Sequence, residues 1–141
     1  ISGNPHACYV VARLCDHEPS PVVGYAGMWL VADEAHITNI AVHPDYRGRH
    51  VGERLLVSLL DTALQRGARH VTLEVRRGNL VAQGLYQKYR FQAVAVRRRY
   101  YSDTGEDAIV MWIEDLRDSE FQRVFLANKR GLEDEGAPSG D

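Results

Sequence analysis

Residues 36–75 switch hydrophobic period twice, and that switch restricts the possible folds more than any other feature of the chain. Residues 36–42 (HITNIAV) read as a strand closed by His43-Pro44. From Val51 the apolar residues fall at Val51, Leu55, Leu56, Leu59, Leu60, Ala63 and Leu64, the one-face repeat of an amphipathic helix. Gly67 is placed to cap that helix, and residues 70–75 (HVTLEV) return to strand character. Strand–helix–strand units cross over right-handedly and make their two strands parallel. The chain is therefore expected to be α/β, with a sheet mixed by whatever strands flank this unit.

The flanks supply them. Residues 7–14 (ACYVVARL) and 22–31 (VVGYAGMWLV) read as strands, the second apolar enough to suggest burial on both faces. Asp33-Glu34 then turns into residues 36–42, giving an antiparallel meander. Downstream, Gly78-Asn79 breaks the chain before a short helix through Tyr89, with Asn79 as N-cap. Residues 91–100 and 107–113 read as two strands joined across residues 102–105. These elements make one domain over residues 1–114. A final helix is expected within 115–130, and a Gly-, Pro- and acid-rich disordered tail at 131–141.

Composition narrows the function classes. The 141 residues carry a net charge of −2, which argues against general nucleic-acid binding. No apolar run approaches the roughly 20 residues needed to span a bilayer, so a cytoplasmic protein without membrane contact is expected. Cys8 and Cys15 on one strand lie roughly 23 Å apart, too far for a disulfide. The six histidines are scattered without metal-ligand spacing, so no metal is expected.

The chemistry concentrates in the turn Asp45-Tyr46-Arg47-Gly48-Arg49-His50-Val51-Gly52. A glycine-bearing turn feeding a helix N-terminus leaves backbone N–H groups unpaired and adds the positive end of the helix dipole. Arg47 and Arg49 add charge, and the turn sits at the carboxyl end of a strand, where open α/β sheets bind ligands. The spacings GxxxxGK[ST] and GxGxxG are both absent. Glu74 is the second unusual feature. Glutamate is depleted in strands, so a mid-strand Glu flanked on its face by Thr72 and Arg76 is either paired to an arginine or a general base. Tyr86, seven residues after Asn79, shares that residue's helix face.

NIAVHPDYRGRHVGERLL, then LEV, then GNLVAQGLYQKYRF, with RRRYY and EDAIVM following, resembles the core of the GNAT acetyltransferases over about residues 24–113. Within them it looks most like the RimI-type enzymes that acetylate protein N-termini. The resemblance implies a splayed mixed sheet and acetyl-CoA as co-substrate. It puts the pantetheine arm along Ile40, Ala41 and Val42, and the pyrophosphate on the amides of Gly48, Arg49, His50, Val51, Gly52 and Glu53 beside Arg47. It implies Asn79 as a further cofactor contact, Glu74 as general base, Tyr86 as general acid, and Tyr100 and Tyr101 as the wall for a substrate peptide. The acceptor it suggests is an N-terminal α-amine, by analogy that of a ribosomal protein. Lysine or small-amine acetylation, and a non-catalytic acyl-CoA-binding module, are the alternatives.

Two departures accompany it. The family shows R/Q-x-x-G-x-G/A, and His50 stands where a glycine is expected; weaker or reshaped cofactor binding would follow. Relatives also carry a strand and two helices ahead of the region matching Ala7, so this chain is expected to begin inside the fold.

Overall fold

The computed structural model describes residues 6–13 and 21–136. Six strands, β1 (His6–Arg13), β2 (Val22–Val31), β3 (Glu34–Val42), β4 (His70–Arg76), β5 (Gln92–Tyr101) and β6 (Glu106–Ile113), form one sheet in the order β1-β2-β3-β4-β6-β5. Helix α1 (Val51–Gln65) connects β3 to β4, α2 (Leu80–Lys88) connects β4 to β5, and α3 (Ser119–Gly136) follows β6. Only β3 and β4 pair in parallel. That is the crossover expected from the change of period. Cys15 and the other residues of 14–20, between the first two strands, lie outside the described residues.

Alternation sorts the sheet into two faces. Val71, Leu73 and Val75 of β4 are buried with Leu55, Leu56, Leu59 and Leu60 of α1 and with Phe91 and Met111. The opposite face of β4 carries His70, Thr72, Glu74 and Arg76, all partly exposed. Burial of β2 on both faces does not hold: Val22, Tyr25, Trp29 and Val31 are exposed. The strand is antiparallel to both neighbours, and α1 packs on its other face, against Ala26, Met28 and Leu30. Gly24 explains how closely that helix sits. A Cβ there would stand 2.9 Å from the carbonyl oxygen of Ala41 and 3.1 Å from side-chain carbons of Leu55 and Val51.

The C-terminal helix departs from expectation. It runs to Gly136, beyond the expected end, and Leu132 in the expected tail is buried with Phe121, Phe125 and Leu116 in the same core as β4. The Arg54 guanidinium donates to the carbonyl of Leu132 at 3.1 Å, tying α3 to α1.

One buried carboxylate fastens α1 to α2. Glu53, 6% exposed, accepts from Lys88 Nζ at 2.7 Å and from the Tyr89 hydroxyl at 2.6 Å, and stands 3.5 Å from His50 Nδ1. Burial raises its pKa, but the bonds from Lys88, Tyr89 and His50 outweigh burial and hold it below the usual carboxylate range. A folded pKa depressed below the unfolded one means stability that is present above the unfolded value and lost as pH falls through the folded one. Glu53→Gln should therefore lower stability by about 1–3 kcal/mol near neutrality, with the gap to wild type closing below about pH 4.5; thermal melts over pH 3–7 check this. Gly24→Ala should cost about 1–3 kcal/mol at every pH, because backbone and two core side chains must give way; urea unfolding measures it.

Candidate active site

A bulge opens the site. Gly27 pairs with Asn39 and Met28 with Ile37, so Thr38 is an extra residue on β3. A bulge bends its strand and increases local twist. Parallel pairing with β4 stops at His36↔Thr72, while β4 continues to Arg76 against β6. Beyond that point the two strands separate. The His43 N–H bonds the Val23 carbonyl on β2, so by alternation the N–H groups of Ile40 and Val42 face the opening.

The opening is a cleft of about 880 Å³. Ile40, Ala41 and Val42 line one side, Arg47, Gly48, His50, Val51, Gly52 and Glu53 one end, and Glu74, Asn79, Tyr86 and Tyr101 the other side. Two expected residues stand apart from it. Arg49 lies over the Tyr46 ring, 5.1 Å from its centroid, and Tyr100 is exposed, edge-on to Tyr101 at 5.1 Å.

At the end formed by the turn before α1 the backbone is shaped by two left-handed residues. Gly48 has φ +80 with open space around it, and His50 caps α1 at φ 63, ψ 18. Histidine thus occupies the left-handed geometry that glycine would supply. The first turn of α1 leaves the N–H groups of Val51, Gly52 and Glu53 without intrahelical partners. A Cβ on Gly52 would stand in van der Waals contact with Val42 Cγ2 at 3.6 Å, and both residues line the cleft. The amide of Glu53 belongs to this turn, as expected of it, while its carboxylate is turned inward to Lys88 and Tyr89.

At the opposite end, Glu74 accepts from His36 Nε2 at 2.8 Å. Its partner is thus a histidine on β3 rather than Arg76 or another arginine. Sequence reasoning missed His36. The two are 38 residues apart, and their pairing depends on the parallel register, which puts His36 opposite Thr72 and so beside Glu74 on one face. Asn79 caps α2, its side chain accepting from the Ala82 N–H at 3.1 Å. Burial, with a smaller push from Tyr101, raises Tyr86 to about 12. The phenol therefore keeps its proton at neutral pH. Tyr101 is raised too, chiefly by burial and against the pull of Arg76.

Comparison with known proteins agrees with this geometry. The acetyltransferase (GNAT) family model matches residues 1–91. A Bacillus subtilis protein provisionally named ribosomal protein bS18-alanine N-acetyltransferase is 46% identical over 110 residues, covering 78% of this chain and 70% of that one. N-alpha-acetyltransferase RimI of Mycobacterium tuberculosis is 44% identical over 112 residues, 77% of this chain and 66% of that one. The crystal structure of the Escherichia coli ribosomal-protein-S18-alanine N-acetyltransferase superposes with a TM-score of 0.63 at 38% identity, over 70% of this chain and 65% of that one. The chain thus spans about two thirds of the length of these relatives. It belongs to the acetyltransferase (GNAT) family, whose N-acetyltransferases draw their acetyl group from acetyl-CoA.

Proposed function

We propose that the cleft transfers the acetyl group of acetyl-CoA to the α-amine of a protein N-terminus, with Glu74 as general base and Tyr86 as general acid. The observation that carries this reading is that both side chains reach one cleft whose far wall is the unpaired edge of Ile40 and Val42. The names of the relatives make a ribosomal protein beginning with alanine the first acceptor to try.

Each step has a candidate group on the cleft. The amides of residues 48–53, with the dipole of α1, hold the pyrophosphate, and Asn79 adds a contact beyond its capping role. The edge of Ile40 and Val42 bonds the pantetheine arm, and the Val42 N–H meets the oxyanion that develops on the thioester carbonyl. Glu74, oriented by His36, takes the proton of the incoming ammonium. An α-amine, of pKa roughly 7.7–8.0, is far more often neutral at pH 7 than a lysine near 10.4, so one carboxylate suffices. The amine nitrogen bonds the carbonyl carbon, the carbon–sulfur bond breaks, the thiolate takes the Tyr86 proton, and the proton left on the nitrogen restores the Tyr86 phenol as the amide forms. With Tyr86 at about 12 and a thiol near 8.5, that transfer is uphill by about 5 kcal/mol in the free enzyme. A barrier of roughly 15 kcal/mol, typical of enzymes turning over at ordinary rates, accommodates it.

Acetyl-CoA titrated calorimetrically should bind the wild type, and Gly52→Trp, which fills the cleft opposite Val42, should lose at least about 100-fold in affinity. Absence of binding by folded wild type would overturn the assignment. With a hexapeptide beginning in alanine, Glu74→Gln should lower kcat by roughly 10²–10⁴, followed by mass spectrometry of the product. Since Tyr86 keeps its proton far above neutrality, wild-type kcat should show no basic fall between pH 7 and 10, and Tyr86→Phe should lower kcat by roughly 10²-fold or more; an unchanged kcat in folded Tyr86→Phe would take the acid role from Tyr86.

A further inference from the structure

Arg76 ends β4 on the same outward face as Glu74, two residues on, where it could pair with that carboxylate. It turns the other way. Its guanidinium donates to Asp103 Oδ1 and Oδ2 at 3.3 and 3.0 Å, to Thr104 Oγ1 at 3.3 Å and to Glu106 Oε1 at 3.4 Å. These are groups of the turn between β5 and β6. The same guanidinium lies over the Tyr101 ring, 4.0 Å from its centroid. Glu106 continues the clasp, its Oε2 accepting the Gly78 N–H at 2.8 Å. The Arg77 N–H bonds the Asp107 carbonyl at 3.0 Å beside it.

The consequence lies at Tyr101, which faces the cleft close enough to Tyr86 and Glu74 for their charges to act on one another. A tyrosine at a hairpin end is mobile unless something holds the hairpin and the ring. Arg76 does both at once: the fork fixes the turn, and the flat guanidinium stacks on the ring. It also keeps a permanent cation off Glu74, leaving that carboxylate to His36.

We infer that Arg76 is a positioning residue for the acceptor: clamped to the Asp103–Glu106 turn, it holds the Tyr101 ring as the wall against which the first residues of the acceptor peptide pack. The inference rests on the proposed N-terminal acetylation and adds to it a residue that sets acceptor affinity without touching the acetyl-CoA side. Lysine cannot replace it, since an ammonium neither forks across Asp103 and Glu106 nor stacks flat on the ring.

The test is steady-state kinetics on the alanyl hexapeptide with Arg76→Lys and Asp103→Ala. Asp103 is exposed and lies outside the cleft, so its variant releases the latch from the far side and decides the matter where Arg76→Lys fails to fold. Both should raise the peptide KM about tenfold, one good contact's worth, and leave the acetyl-CoA KM within about twofold. Combined with Tyr101→Ala, Arg76→Lys should add little further, because the two act through one contact. Unchanged peptide KM in a folded variant, or an equal rise in both KM values, would overturn the role of Arg76 while leaving the proposed reaction intact. A wild type that binds acetyl-CoA yet acetylates no α-amine peptide would overturn both.

Discussion

A single extra residue on β3 controls the rest of the structure. Thr38 has no partner on β2, and the parallel ladder to β4 ends two residues before it. Had the ladder continued, the N–H groups of Ile40 and Val42 would bond β4 and the sheet would be closed. The separation instead leaves a partly exposed strand edge facing the cleft, where its amides can pair with a ligand. A ligand that presents alternating amide donors and acceptors, as a pantetheine arm does, satisfies that edge. On the proposed reading the bulge would exchange sheet stability for a binding slot that ends at the N-terminus of α1.

Such a slot is useful only if its two ends stay in register. The proposed phosphate end belongs to α1 and the proposed reacting end to β4 and α2, elements joined by separate loops. Glu53 bridges them: it lies in the first turn of α1, and its carboxylate is held by Lys88 and Tyr89 at the end of α2. Burying a carboxylate is unfavourable unless it is paired and hydrogen-bonded, and here both conditions are met. Its position has a second use. An acidic side chain in the first helical turn aimed at the ligand would repel phosphate; turned inward, it leaves only its amide facing the cleft.

The parts legible in the sequence were those carried by local pattern. The period of α1, the glycine-bearing turn before it, the cap at Asn79 and the two faces of β4 each depend on residues within one or two turns of one another. The fold class followed from them. The misses share a different cause. His36 beside Glu74 requires the parallel register of two strands separated by a helix. Exposure of Tyr25 and Trp29 depends on where helices pack, not on the apolarity of β2, and an apolar run reads alike in both cases. Leu132 was hidden because helix continuation past Lys129 is decided by a core contact with distant residues, while local composition around it favours a tail. The turn's own departure, His50, was readable as a left-handed residue, but its nearness to the Glu53 carboxylate was not.

Two tyrosines three residues apart show how placement separates structure from chemistry. Tyr86 and Tyr89 stand on the same stretch of α2 and its cap, and burial raises both pKa values. Tyr89 is fully buried and donates its proton to Glu53, so its hydroxyl is already committed, and the carboxylate beside it raises its pKa further. Tyr86 packs its ring against Phe91 at 5.6 Å while lining the cleft. Both rings are anchored, which removes the entropy a flexible donor would lose on reaching a transition state. Only at Tyr86 does the anchored ring also border the cleft, where a thiolate would leave. The helix and its cap offer two phenols; the buried carboxylate on α1 claims Tyr89, and Tyr86 is left bordering the cleft, where the proposed acid role would need it.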